Sequence, residues 1–147
     1  MIVTRTPFVG VARHYIEPLL EAHYQELGNT QRYELAPNYN QYHYIADAGN
    51  LIMLLAFDED VCVGYSVNFL SPHVHYMRQR VCSNDVLFVA KDYREGSIGG
   101  RLMARTAKEA KAAGATVLHW HAKPNTALFT ILSKRSGPIE YIFAQSL

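Results

Sequence analysis

Three glycines stand within five positions in the segment DVLFVAKDYREGSIGGRL, which spans residues 85–102. Gly96, Gly99 and Gly100 follow an apolar run and precede a helical pattern. Glycine costs backbone entropy, so this crowding needs a physical reason. A strand that turns through glycines into a helix presents unpaired N–H groups and a partial positive charge, and the missing Cβ atoms let a ligand approach. The segment is therefore predicted to bind an anionic group.

Two widespread phosphate-binding designs do not fit this loop. The dinucleotide fingerprint G-x-G-x-x-G fails because the three glycines are spaced three and one apart. The phosphate loop G-x-x-x-x-G-K-[ST] fails because no Lys-Ser or Lys-Thr pair follows. Another way of holding the anion is therefore expected.

Two H-x-H pairs, His73/His75 and His119/His121, suggest a different chemistry. Alternate residues of a strand share a face, so the four imidazoles make a metal site an alternative. Cupin-like folds that use H-x-H are all-β, whereas a helix is predicted between these two pairs. The pattern therefore favours histidines that line a cleft or lie exposed, and no metal is expected.

The composition is that of a globular protein with a single domain over residues 1–147. Of the residues, 49% are hydrophobic and 18% are charged, with a net charge of +1, which indicates neither nucleic acid nor a membrane as a partner. The longest apolar run, LIMLLAF at 51–57, is far shorter than the about 20 residues of a membrane helix. No signal peptide is indicated, and Cys62 and Cys82 are expected to be free thiols. A cytoplasmic location is therefore predicted.

Hydrophobic periodicity predicts the element order α, α, β, β, β, α, β, α, β. Pro18 predicts a kink in the first helix or a later start, and Gly28-Asn29 is predicted to end it. The βαβαβ alternation in the second half predicts parallel strands, and the hairpin adds antiparallel ones, so the fold class is α/β (α+β). The predicted elements are helices at 11–27 and 40–48, a hairpin at 51–72, a strand at 86–90, a helix at 99–113, a strand at 116–122, a helix at 125–135 and a strand at 139–145.

The stretch LFVAKDYREGSIGGRLM resembles the signature of the GNAT superfamily of acyl-CoA N-acyltransferases. In that family a strand leads to R/Q-x-x-G-x-G/A and then to a helix. Residues Arg94 to Gly99 match this motif, except that Ser97 replaces its first glycine. The element order of the family also follows this chain from about residue 10 to its end. The resemblance implies a GNAT-like mixed central sheet with helices on both faces.

The resemblance also implies acetyl-CoA, or another acyl-CoA, as the cosubstrate and indicates how it would be held. Backbone amides of residues 94–100 would cradle the pyrophosphate, and the ends of strands 86–90 and 116–122 would splay apart to admit the pantetheine arm. The main chain at Leu87 and Val89 would pair with that arm, and a backbone N–H near Val89 would polarise the thioester carbonyl. The implied cofactor-binding residues are Leu87, Phe88, Val89, Arg94, Glu95, Gly96, Ser97, Ile98, Gly99, Gly100 and Asn125.

Proton transfer needs a base for the amine and an acid for the departing thiolate. Members of the family often carry a carboxylate on the strand before the signature, and Asp85 stands there, although a strand-start residue bonding the backbone would look the same. His119 and His121 are candidate bases on the strand expected to border the thioester. The Tyr that usually serves as the general acid in the family corresponds to Leu132, which cannot donate a proton. Tyr141 or Tyr93 is then the candidate acid, and proton exchange with bulk solvent is the alternative.

Residues 33–45 correspond to the segment that covers the acceptor site in the family. Tyr33, Tyr39, Tyr42 and Tyr44 could line an aromatic acceptor pocket, or they could simply pack against a helix.

The predicted function is direct transfer of an acyl group, in the first place acetyl, from acyl-CoA to a small-molecule or protein amine. A non-catalytic CoA- or partner-binding protein and a His-based metal protein are the alternatives. The compact form and short tail resemble those of bacteriophage and prophage members. Because the tail is shorter than the family's usual two-strand ending, a homodimer partner is expected to complete the sheet.

Overall fold

Two apolar runs on either side of an acidic turn form the centre of the sheet. The computed structural model describes residues 1–27, 33–145 and 147. The predicted helix end at Gly28-Asn29 lies outside these residues. The elements are β1 (Ile2–Thr6), α1 (Val9–Leu27), α2 (Tyr39–Asp47), β2 (Leu51–Asp58), β3 (Val61–Pro72), β4 (Arg80–Val89), a 3-10 turn (Lys91–Tyr93), α3 (Ile98–Ala112), β5 (Val117–Trp120) and α4 (Ala127–Ser133).

The five strands lie in the order β1-β2-β3-β4-β5. Strands β1 to β4 pair antiparallel, and β5 joins β4 in parallel through the α3 crossover. Strands β2 and β3 form the predicted hairpin, whose tight turn places Glu59 in the left-handed region at φ 51°. The mixed sheet predicted from the sequence is confirmed.

Each face of the sheet is covered by helices, as predicted. Successive apolar residues of β2 and β3 point to opposite faces of the sheet and build two cores. On one face α1 and α2 pack on residues that include Met53, Leu55 and Tyr65. On the other face α3 packs through Ile98 and Leu102 on the remaining strand positions. Among the described residues, no helix is both long and apolar enough to cross a membrane.

Three strand predictions were wrong or incomplete. The segment IVTRT, given no element from the sequence, forms β1 because the edge of β2 offers it a full row of backbone partners. Strand β4 begins at Arg80 and not at residue 86, since its first half pairs with β3 and β5 at once. The predicted strand at 139–145 is irregular and exposed, with Phe143 92% exposed. A strand needs a neighbour for its hydrogen bonds, and none of the described strands pairs with this segment.

The helix predictions hold with shifted ends. Helix α1 begins at Val9 and continues through Pro18, so a start at the proline is wrong. Helix α2 begins after Asn38, whose side chain accepts from the Gln41 amide at 3.1 Å. Helix α4 is shorter than predicted because Thr126, which accepts from the Phe129 amide, caps it.

A buried polar cluster supports β4 from the α3 side. It consists of Ser66, Asn68, Asn84 and Thr106, each with 0% exposure. The Asn84 side-chain amide donates to Asn68 Oδ1 at 2.8 Å and to the Val86 carbonyl at 2.9 Å. The register shift between β3 and β4 falls beside Asn84, where Asp85 is the extra residue. The cluster therefore holds the bulge that carries Asp85.

Gly64 on β3 is required by the close approach of β4. A Cβ at this position would lie 2.8 Å from the carbonyl oxygen of Phe88. We expect Gly64→Ala to destabilise the protein by about 1–3 kcal/mol, because the backbone of β4 must move away. Urea unfolding measures this loss. Gly10→Ala is the matched control, since a Cβ there meets nothing within 4 Å, and equal stability of the two variants would contradict the prediction.

Candidate active site

The glycine-rich loop ends in the N-terminus of α3, and its backbone is open to a ligand. Ser97 occupies the N-cap position without a side-chain capping bond. The Arg101 amide donates to Ser97 O at 2.9 Å, so the amides before it have no acceptor within the helix. A Cβ on Gly99 or Gly100 would meet nothing within 4 Å, and neither glycine has a positive φ. Internal packing therefore does not require these glycines, and the open backbone leaves room for the pyrophosphate role that the resemblance implies.

The second half of β4 has a free edge beside this loop. Strand β5 pairs with β4 only at residues 81–84. The Ala90 amide donates to Val63 O at 2.8 Å. This bond determines which residues of β4 direct their main-chain N–H and C=O groups toward β3. The main-chain groups of Phe88 therefore point to β3, and those of Leu87 and Val89 point to the free edge. This edge can pair with an extended arm of a ligand, as expected for pantetheine at Leu87 and Val89.

Phe88 was predicted among the cofactor-binding residues, but it is placed differently from its neighbours. Its side chain is 4% exposed and belongs to the core under α1. Its ring lies 4.7 Å from that of His23. Phe88 thus supports the strand from behind, and its main chain faces away from the free edge.

Arg94 connects the loop to α1. Its Nε donates to Val89 O at 2.7 Å, and its Nη2 contacts both carboxylate oxygens of Glu26, at 2.8 and 2.6 Å. The guanidinium is thus already paired, so Arg94 fixes the loop against the helix while backbone amides remain for an anion. Glu95, Gly96 and Ser97 are exposed around the same turn.

Asp85 and His121 lie where β4 and β5 separate, and the charge of Asp85 acts on Tyr42 as well. Ser83 is the register partner of His119. Asp85 and His121 each follow two residues later, where the two strands diverge. Burial raises the pKa of Asp85, and the nearby His121 opposes that rise. Although Asp85 as a residue is exposed, surrounding protein atoms desolvate its carboxylate. Burial also raises the pKa of Tyr42, with the charge of Asp85 adding to it.

A cavity of about 300 Å³ opens beside this group on the α1 face of the sheet. Tyr33, Tyr39 and Tyr42 line it, while Tyr44 is 72% exposed and does not. Three of the four tyrosines singled out in the sequence therefore lie at one cavity. Its walls come from α1, the segment before α2, α2 itself and three strands. The lining residues are Val9, Arg13, Ile16, Leu20, His23, Tyr24, Leu27, Tyr33, Glu34, Leu35, Ala36, Pro37, Tyr39, Tyr42, Met53, Tyr65, Val67 and Val86.

His23 and Tyr65 form a polar pair in this cavity that sequence reasoning missed. His23 Nδ1 lies 2.6 Å from the Tyr65 hydroxyl. Burial, together with Arg94 and Lys123, lowers the pKa of His23 against the opposing charge of Glu26, and burial raises that of Tyr65. These shifts favour the neutral forms of both side chains, and in the neutral pair His23 Nδ1 can accept a hydrogen bond from the Tyr65 hydroxyl. The sequence feature that could have indicated this pair is the position of His23 on the apolar face of the first predicted helix.

The remaining predicted site residues are scattered. His119 is half-buried on β5, and Asn125 is exposed with a left-handed φ of 64° just before α4. Tyr141 is 70% exposed in the irregular C-terminal segment. Its role as an acid stays a prediction.

The histidine pairs lie in different parts of the fold. His73 and His75 lie between β3 and β4, where His73 Nδ1 accepts from the His75 amide at 3.2 Å. Within the described ranges, no three His, Cys, Asp or Glu side chains are grouped so as to hold a metal ion. The metal-protein alternative therefore finds no support in this geometry.

Both cysteines are free, as expected. Burial raises the pKa of Cys62, and it raises that of Cys82 to about 11. A thiol acts as a nucleophile through its thiolate, so neither residue is activated for a covalent route.

Comparisons with known proteins agree with this architecture. The model of the Acetyltransferase (GNAT) family matches residues 13–129. No curated protein sequence matches the chain. Among solved structures, the fold is similar to an aminoglycoside acetyltransferase, HMB0005, from an uncultured soil metagenomic sample, with a TM-score of 0.76, 18% identity and coverage of 100% of this chain and 99% of that one. It is also similar to a ribosomal-protein-alanine N-acetyltransferase from Brucella melitensis biovar Abortus 2308, with a TM-score of 0.73, 16% identity and full coverage of both chains. The family match spans most of the sequence, and the chain belongs to the GNAT acetyltransferase family.

Proposed function

We propose that this protein transfers an acetyl group from acetyl-CoA to a primary amine by direct attack. The observation that carries the proposal is that three features of the fold lie next to one another. The open N-terminus of α3 lies beside the free edge at Leu87 and Val89, and Asp85 stands where β4 leaves β5. When bound, acetyl-CoA supplies the acyl group as a thioester, and the protein supplies position and proton transfer.

Each of these features has a role in the proposal. The Arg94 amide donates to Lys91 O at 3.3 Å, so the backbone amides of residues 95–100, including those of Glu95 and Ile98, would hold the pyrophosphate. The N–H groups of Leu87 and Val89 would hold the arm and polarise the carbonyl. Asn125, with its left-handed backbone beside α4, would face the same ligand.

Proton transfer is assigned to the group around Asp85. The raised pKa of its carboxylate makes it a better base, so Asp85 would take the proton from the acceptor ammonium. His121 stands beside it and would stabilise the ionised carboxylate before that transfer, and His119 stays a second candidate base. The raised thiol pKa values support direct attack, without an acyl-cysteine.

The acceptor in this proposal is a small molecule or a protein amine. One of the similar structures is named as an aminoglycoside acetyltransferase and another as a ribosomal-protein-alanine N-acetyltransferase, so both classes are represented. The homodimer, the cytoplasmic location and the phage-type origin stay predictions.

Calorimetry with acetyl-CoA, combined with an assay of CoA release in the presence of amines, tests the function. We expect micromolar binding of acetyl-CoA and amine-dependent release of CoA. Binding without transfer to any amine would favour the non-catalytic alternative, which Leu132 at the position of the family's acid supports. Tight zinc binding without affinity for acetyl-CoA would overturn the proposal.

A further inference from the structure

The cavity beside Asp85 is almost entirely apolar and aromatic, which restricts what can occupy it. Its floor is formed by Met53, Val67 and Val86, and its walls include Tyr39 and Tyr42. The rings of these two tyrosines lie 6.4 Å apart, and Tyr42 stacks on Phe69 at 6.2 Å. A volume of about 300 Å³ is at the small end of ligand cavities. The space therefore suits one compact apolar body.

The charges at the cavity wall do not suit a polycation. The guanidinium of Arg13 pairs with Glu17 at 2.7 Å and lies 4.2 Å from the centre of the Tyr39 ring. Glu34 is the carboxylate among the described lining residues. A ligand with several ammonium groups would bury most of them without a partner, and burying an unpaired charge is strongly unfavourable.

The polar groups in this cavity and next to it favour one amine at the end where Val86 and Tyr42 lie. His23 and Tyr65 are bonded to each other and form a neutral pair. Asp85 does not line the cavity itself, but it directly precedes the lining residue Val86 in the chain, and its charge acts on Tyr42, which also lines the cavity. An ammonium is thus favoured at the Asp85 end, and the rest of the ligand lies among the tyrosines.

We propose that the acceptor is a monoamine on a compact apolar body, of the arylalkylamine class, with the ring held against Tyr42 and the amine at Asp85. The inference rests on the proposed function, because it assigns this cavity to the acceptor. It excludes polyamines and aminoglycosides as preferred acceptors.

Initial rates of CoA release with the whole protein and saturating acetyl-CoA test the inference. The amines are 2-phenylethylamine, ethylamine, spermidine, kanamycin and a peptide with a free N-terminal alanine. We expect kcat/KM for 2-phenylethylamine to exceed each of the others by at least about tenfold, as burial of a phenyl ring predicts. This comparison needs no variant, so folding does not affect it.

A pair of variants on α2 locates the effect. Tyr42→Ala should raise KM for 2-phenylethylamine by about tenfold and leave the affinity for acetyl-CoA unchanged. Tyr44→Ala, two positions away and 72% exposed, is the matched control and should change neither.

The outcomes separate the inference from the function it rests on. Preference for spermidine, kanamycin or the peptide, with acetyl-CoA binding intact, overturns the acceptor class alone. Equal rates with ethylamine and 2-phenylethylamine do the same. Failure to bind acetyl-CoA overturns the proposed function.

Discussion

Gly99→Glu is expected to reduce the affinity for acetyl-CoA by about 100-fold or more, which corresponds to about 2.8 kcal/mol. The new carboxylate would stand at the N-terminus of α3, where the proposal places a pyrophosphate. Charge-assisted hydrogen bonds to such a group are worth about 1.5–3 kcal/mol each, and repulsion adds to their loss. Calorimetry on the folded variant measures the change.

The variant should keep its fold, which makes the test specific. A side chain at Gly99 meets nothing within 4 Å, and an acidic residue in the first turn of a helix is favourable. Gly10→Glu is the matched control, because Gly10 is also the second residue of a helix with open space around it. Unchanged affinity in Gly99→Glu, or an equal loss in Gly10→Glu, would remove the loop from the binding site.

Asp85→Asn is expected to lower kcat by about 100-fold or more and leave the dissociation constant of acetyl-CoA within about twofold. Removal of a general base typically costs two to four powers of ten in rate. Asp60→Asn in the exposed β2–β3 turn is the matched control and should retain full activity. A small loss of kcat in Asp85→Asn would return the role of base to His119 or His121.

The pH dependence of the reaction provides a second test of Asp85 as the general base. A base acts in its ionised form, so kcat/KM should rise with pH through the raised pKa of Asp85, and this limb should disappear in Asp85→Asn. The folded pKa lies above the unfolded one, so the folded state holds the proton more tightly in the window between them. Stability from this group is complete below the window and is lost as pH rises through it.

Asp85→Asn should therefore be at least as stable as the natural protein at neutral pH. Thermal unfolding across that window measures it. A clear loss of stability in the variant would indicate that Asp85 is a structural residue that bonds the backbone. That is the other interpretation that its position at the start of the predicted strand allows.

Local patterns were enough to predict most of the helices and the central hairpin. The apolar runs around residues 58–60 could only bury themselves as paired strands, and the spacing of apolar residues at 99–113 matched a helix. Edge elements were harder, because their existence depends on a neighbour. IVTRT became a strand since β2 had a free edge, and the apolar segment at 139–145 did not, since no described strand pairs with it.

The glycine loop could likewise be identified from the sequence, because its unusual composition and its position between a strand and a helix are local properties. The sequence by itself determined the family-like order of elements, the loop and the carboxylate before it. Only the tertiary structure decided what surrounds them. It placed Asp85 within electrostatic range of His121 and Tyr42, paired His23 with Tyr65 across 42 positions, and left Tyr44 and Tyr141 in solvent. Such proximities depend on strand register and helix packing over long separations, which no local pattern encodes.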